Sequence, residues 1–491
     1  MKATITDLKP QLLWKWFDTI CSIPHPSYHD QALVDYIYNW AQEKNLWVEK
    51  DQAGNLLIRK PATPGYENVP SIAFQAHVDM VPQADSHKQH DFLKDPITTV
   101  INGEYLYADN TTLGADNGIG VASILALLED DSIEHGPIEG LLTRNEEVGM
   151  EGVLGLAENW LESQYLVNTD TEEWGHLYLG CAGGIDLSFH KEYNFKPLKD
   201  GAKVFKISLK GFRGGHSGVD IHTNRESAIK YLSKLLFALY REVKFNFVDL
   251  YAGQARNAIP REAYATVSVT AENESKFVQA FAEVQEKLTS IFKLAEPNGS
   301  YSLDQLEATP ELTRLSCSDM PNLLNFLVLV PNGVLRNSDE FAGVVETSQS
   351  GGVLRLNPEE GFKYQILARS LNDTANKIYS DEMFALADLT GIGLTASGFY
   401  SGWTPSLNEF TKFVEEEYKK ATKSDIEVKV MHAGLECGIL QGHYPDIKIV
   451  SIGPDIHNPH TPKERVHIGS VEKYYNLLVS ILKNFKSAQN V

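Results

Sequence analysis

Apolar positions in this 491-residue chain recur with two periods. Over 31–44 they fall at Leu33, Val34, Ile37, Trp40 and Ala41, the three-and-four spacing that gathers them on one side of a helix, and a similar helical segment occupies 12–21. Residues 47–49 and 55–59 read as a hairpin about Asp51-Gln-Ala-Gly54. Short apolar runs at 71–80, 140–149 and 165–170 read as buried strands, and Gly114-Ala-Asp-Asn-Gly-Ile-Gly120 opens a helix over 121–128. Strands alternating with helices in this way predict an αβα sandwich with a largely parallel sheet and functional groups at the strand ends.

The pattern changes near Asn194. Strands at 204–210 and 263–270 alternate with amphipathic helices at 226–242 and 275–294. A second set follows, with strands at 325–330, 341–348, 352–356 and 362–369, a helix at 374–388 and a strand at 391–398. Two βαβ-rich halves suggest a duplicated α+β domain. From 401 the first style resumes, with helices at 407–422, 434–441 and 471–485 and strands at 426–431 and 447–452. The expected fold class is therefore α/β, with a discontinuous first domain at 1–193 and 401–491 and an inserted domain at 194–400.

Composition narrows the class. With 43% hydrophobic and 22% charged residues the chain folds into two to four domains by length. No apolar run approaches the ~20 residues of a spanning helix, and Met1–Pro10 lacks the apolar core of a signal peptide, so a cytoplasmic protein is expected. A net charge of −21 disfavours nucleic acid and anionic membrane as partners, both being polyanions. Cys21, Cys181, Cys317 and Cys437 are far apart, which argues against a disulfide framework or a thiolate metal site.

The candidate chemistry sits where apolar runs end. His77 and Asp79, two residues apart on a strand, face the same way. Asp116 lies at a strand-to-helix turn, Glu146 and Glu147 stand at the end of the run at 140–149, Asp170 closes the run at 165–170, and His460 follows the run at 449–454. Taken singly, a cap or turn role is the default reading for Asp116, Glu147 and Asp170, and a hydrogen-bonded pair at a strand end is the default for His77 and Asp79. Together they have the ligand chemistry of a two-metal hydrolase, and since His460 must join ligands found before 171, the first domain has to be discontinuous. His457, three residues earlier, offers a competing imidazole. His25 and His29 read as loop contacts, and His432 and Glu436 as helix-start residues.

These motifs, with Gly215-His-Ser-Gly218, Cys181-Ala-Gly-Gly184, Arg256-Asn-Ala-Ile-Pro260 and His432-Ala-Gly-Leu-Glu-Cys-Gly438, resemble the M20 metallopeptidases and within them the aminoacyl-histidine dipeptidase branch. The resemblance implies two zinc ions, replaceable by cobalt or manganese, bridged by Asp116, with His77 and Asp170 on one and Glu147 and His460 on the other. Glu146 would be general base and acid, and Asp79 would orient His77. The inserted domain would be a lid whose His216, Asn257 and Arg369 contact substrate, and a homodimer is open. Short unblocked peptides, including Xaa-His dipeptides, are the implied substrates. An N-acyl amino acid hydrolase or tripeptidase is the alternative of the same fold. A non-catalytic scaffold is the alternative of another class, against which the intact Glu146 argues.

Overall fold

The computed structural model describes residues 4–485, and the chain divides into two compact units. The first comprises residues up to Cys181, Trp403–Val430 and the chain from Leu435 on. Its eight-stranded sheet is mixed. Ile138–Thr143, Ile72–His77, Tyr165–Asn168 and Lys448–Ser451 lie side by side and parallel at the centre, and the hairpin Trp47–Lys50/Leu56–Lys60 adds antiparallel strands at one edge. The central strands are buried on both faces, which is why they read as unbroken apolar runs. The helix Ala115–Glu129, buried nearly all round, packs against Ile72–His77, and Gln11–Ser22 packs on that helix. No described helix is long and apolar enough to cross a membrane.

The second unit, Ala182–Gly402 with Met431–Gly434, is built on a nine-stranded antiparallel sheet. Lys203–Lys210, Asn246–Ala252, Ala263–Val269 and Ser300–Leu306 lie in the order fourth, first, third, second. Gly183–Lys191, Val345–Asn357, Gly361–Ser370 and Gly393–Tyr400 continue in the order second, third, first, fourth, a mirror of the first set. The two second strands meet, with Leu250 opposite Leu356 and Ala252 opposite Leu354. The helices follow the same symmetry: Glu274–Phe292 packs on Ala228–Glu242, which packs on Met320–Leu329, which packs on Asp373–Thr390. The unit is therefore two split-βαβ halves joined edge to edge, the first inserted after the first strand of the second.

Two expected elements differ. The strand at 325–330 is the end of the helix Met320–Leu329: Pro321 suits a first helical turn, and Leu323, Leu324, Phe326 and Leu327 are buried at helical spacing. The separate strands at 341–348 and 352–356 are one strand, Val345–Asn357, that passes Gly351-Gly352 through a register shift. A Cβ at Gly352 would sit 2.3 Å from the Ala255 carbonyl oxygen, so the glycine there marks close backbone approach and not a strand end.

Candidate metal centre

All the strand-end groups expected at one site lie in the first unit, and the structure gathers them. His77 ends its strand with its ring buried. Its Nδ1 lies 3.0 Å from the Asp79 carbonyl oxygen and 3.5 Å from Asp79 Oδ1, so Nδ1–H donates to Asp79 and Nε2 is turned towards the other carboxylates. That Nε2 is 3.2 Å from Asp116 Oδ1 and 3.2 Å from Asp170 Oδ1. His460 Nε2 is 3.0 Å from Asp116 Oδ2 and 2.9 Å from Glu147 Oε1. Two ligand groups result, His77/Asp116/Asp170 and Asp116/Glu147/His460, and they share Asp116. Glu146 lies with His77 and Glu147 in a third group. His457 is elsewhere, with its ring 5.7 Å from that of Tyr105.

A cation fits this donor set. Each imidazole Nε2 faces two carboxylate oxygens, more acceptors than one N–H satisfies. The surrounding charge is also one-sided. Burial, with Asp116 close by, pushes Glu147 up to about 7, burial raises Asp170, and burial pushes Glu146 well above the carboxylate range. Burial works against a charged ring at His460, yet Asp116 and Glu147 raise it to about 11. Asp116, although buried, is held low by His460 and His77. Nitrogen and oxygen donors in this arrangement suit borderline divalent ions.

Residues outside the sequence reading hold the centre in shape. Asp79 accepts from the N–H groups of Glu146 and Glu147 and from Ser27 Oγ. The buried Glu464 accepts from four successive backbone N–H groups, Leu113 to Asp116, at 2.7 to 3.3 Å. Glu436 Oε2 accepts from Gln75 Nε2 at 2.5 Å and Thr143 Oγ1 at 2.7 Å; Gln75 Oε1 accepts from Asn168 Nδ2, and Asn168 Oδ1 from the Asp170 N–H. Gln75 and Asn168 had a signal, being polar residues inside apolar runs. Glu464, in the polar stretch Pro462-Lys-Glu-Arg465, had none.

In the second unit His216 Nδ1 accepts from the N–H groups of Gly218 and Val219, which leaves Nε2 as the protonated nitrogen. Gly218 lets side chains converge: a Cβ there would lie 3.1 Å from His216 Cε1, 3.3 Å from Arg369 Nε and 2.3 Å from the His432 carbonyl oxygen. Arg369 is buried and donates from Nη1 to Tyr400 Oη at 2.8 Å, with Nε unpartnered. His432 pairs with Ser348 Oγ at 2.7 Å, and burial, with Arg369 nearby, pushes it down to about 3. Asn257 is exposed, and its backbone oxygen accepts from the Ser217 N–H at 2.8 Å.

With this sheet pattern and this centre, the chain belongs to the M20 peptidase family. Residues 207–296 match the model of the peptidase dimerisation domain. The cytosol non-specific dipeptidase of Escherichia coli (strain K12) is 44% identical over 482 residues, 98% of this chain and 99% of that one. The crystal structure of aminoacylhistidine dipeptidase from Vibrio alginolyticus superposes with a TM-score of 0.87 at 41% identity, covering 98% of each chain. Human carnosine dipeptidase 1 shares the fold at 13% identity, with a TM-score of 0.50 over 97% of this chain and 96% of that one.

Proposed function

We propose that this chain is a cytoplasmic two-zinc dipeptidase that hydrolyses short unblocked peptides, Xaa-His dipeptides among them. The observation that carries the reading is the pair of ligand groups sharing Asp116 beside an unshared carboxylate, Glu146. His77, Asp116 and Asp170 would hold one ion, and Asp116, Glu147 and His460 the other. Bound there, the ions would supply Lewis acidity and make water acidic enough to deprotonate near neutral pH. Glu146 takes the proton from the attacking water and returns it to the leaving amine, a role its raised carboxyl suits. Asp79 fixes the His77 tautomer through Nδ1 and holds Glu146 through its backbone.

The protonated Nε2 of His216 is a donor for the oxyanion of the tetrahedral intermediate, and the Arg369 guanidinium matches a free C-terminal carboxylate, with Asn257 assisting. Dipeptides are favoured over tripeptides and N-acyl amino acids because the relatives named above at 44% and 41% identity carry dipeptidase names. The segment matching the dimerisation domain is the first half of the second unit, and its Asn246–Ala252 strand is already paired by Val345–Asn357 of the same chain. A homodimer would therefore not pair through that strand edge. The test is metal content and kcat of two neighbouring variants. Glu146→Ala should keep two ions per chain and lose about 10²–10⁴-fold in kcat, whereas Glu147→Ala should lose metal as well; equal metal loss in both would overturn the assignment.

A further inference from the structure

Arg369 is a buried guanidinium whose row on the sheet of the second unit holds no anion. Ser348 of Val345–Asn357 lies opposite Arg369, Arg369 lies opposite Gly184 of Gly183–Lys191, and Gly184 lies opposite Tyr400 of Gly393–Tyr400. Residues opposite one another in an antiparallel ladder point to one face, so the four share it. Ser348 Oγ is taken by His432, an imidazole that burial, with Arg369 nearby, keeps neutral. Tyr400 Oη accepts from Arg369 Nη1 at 2.8 Å, while Nε, also buried, has no partner. A buried cation set among neutral groups is unfavourable until a ligand supplies the anion.

Tyr400 reaches Arg369 through two departures from a regular ladder. Ser397 pairs with Asp186 and Tyr400 with Gly184, three steps along one strand against two along the other, so the strand Gly393–Tyr400 carries one extra residue. Without that bulge Phe399, which has no hydroxyl, would stand opposite Gly184. Gly398, at φ 59°, takes the left-handed conformation within it. The second departure is Gly184 itself. A Cβ there would lie 2.5 Å from Tyr400 Oη and 2.6 Å from Tyr400 Cε1, so the ring passes over the glycine on its way to the guanidinium.

We infer that Tyr400 is a positioning residue for substrate: brought into register by the bulge and admitted by Gly184, it holds Nη1 so that the guanidinium presents its remaining N–H groups to the C-terminal carboxylate of the peptide. This rests on the reading above in which Arg369 meets that carboxylate. It adds that the fork is aimed by a neutral hydroxyl, which leaves the charge of the cation for the ligand as a carboxylate partner would not.

The test is steady-state kinetics of the metal-loaded protein on an unblocked dipeptide. Tyr400→Phe keeps the ring and removes the acceptor, and it should raise KM by about tenfold with kcat and metal content unchanged. In an Arg369→Ala background the same substitution should add nothing, whereas a merely structural tyrosine would impose its penalty in both backgrounds. A parental KM in Tyr400→Phe beside a raised KM in Arg369→Ala would overturn the inference and leave the reading of Arg369 standing. A penalty that persists in the Arg369→Ala background, or that falls on kcat or metal content instead of KM, would overturn it likewise. A parental KM in Arg369→Ala would overturn both the reading of Arg369 and the role given to Tyr400.

Discussion

Asp79 Oδ1 accepts a hydrogen bond from the backbone N–H of Glu146 at 3.0 Å. The same carboxylate faces His77 Nδ1 and takes Ser27 Oγ at 2.7 Å. One group therefore sets both the ring of a ligand and the turn that carries Glu146. Asp79→Asn, which replaces an acceptor oxygen by an N–H donor, should lower kcat/KM by about 10–100-fold with weakened metal binding. Kinetics and metal content equal to the parent would show that the turn holds itself.

Glu464 does for Asp116 what Asp79 does for Glu146. Glu464→Ala would leave the N–H groups of Leu113, Gly114, Ala115 and Asp116 without their acceptor in a buried setting. A loss of at least about 3 kcal/mol is expected, read as a lower Tm and a lower metal content. Glu464→Gln, with one acceptor oxygen left, should fall between. A Tm and metal content matching the parent in the alanine variant would remove Glu464 from the account.

Glu436 makes a pH prediction. Its carboxyl is fully buried, and burial pushes it from 4.5 up to about 7. A raised folded pKa means that the protonated form favours the fold: its contribution is complete below about pH 4.5 and is lost as pH rises through about 7. Glu436→Gln keeps an acceptor for Gln75 and Thr143 and cannot ionise. In metal-free protein it should raise Tm more at pH 8 than at pH 5, by up to about 3 kcal/mol in stability. Equal shifts at the two pH values would mean that Glu436 ionises without penalty.

Much of this arrangement was legible in the sequence because the parallel strands at the centre of the mixed sheet put function where they end. His77, Glu147 and Asp170 each follow a run of buried apolar residues, and a polar group at that position stands out. The polar groups beneath them were harder to see. Ser27 and Glu464 sit in polar loops, and their roles depend on contacts 52 and about 350 residues away along the chain. The second unit was legible as two similar halves but not as mirrored ones, since strand order is decided by pairing between Asn246–Ala252 and Val345–Asn357, where neither sequence marks its partner. The end of the helix Met320–Leu329 read as a strand at 325–330 because its buried run is short enough for either, and Pro321, which suits a first helical turn, was the signal for a helix.

Asp116 joins two ligand groups into one centre, and hydrolysis of dipeptides there requires both to be filled. This requirement is tested most directly by stripping the protein with a chelator and adding zinc back while following hydrolysis of an unblocked dipeptide. The account predicts no hydrolysis in the stripped protein and recovery that is complete at two zinc ions per chain. Full hydrolysis without metal, or metal-loaded protein inert towards every unblocked dipeptide, would contradict it.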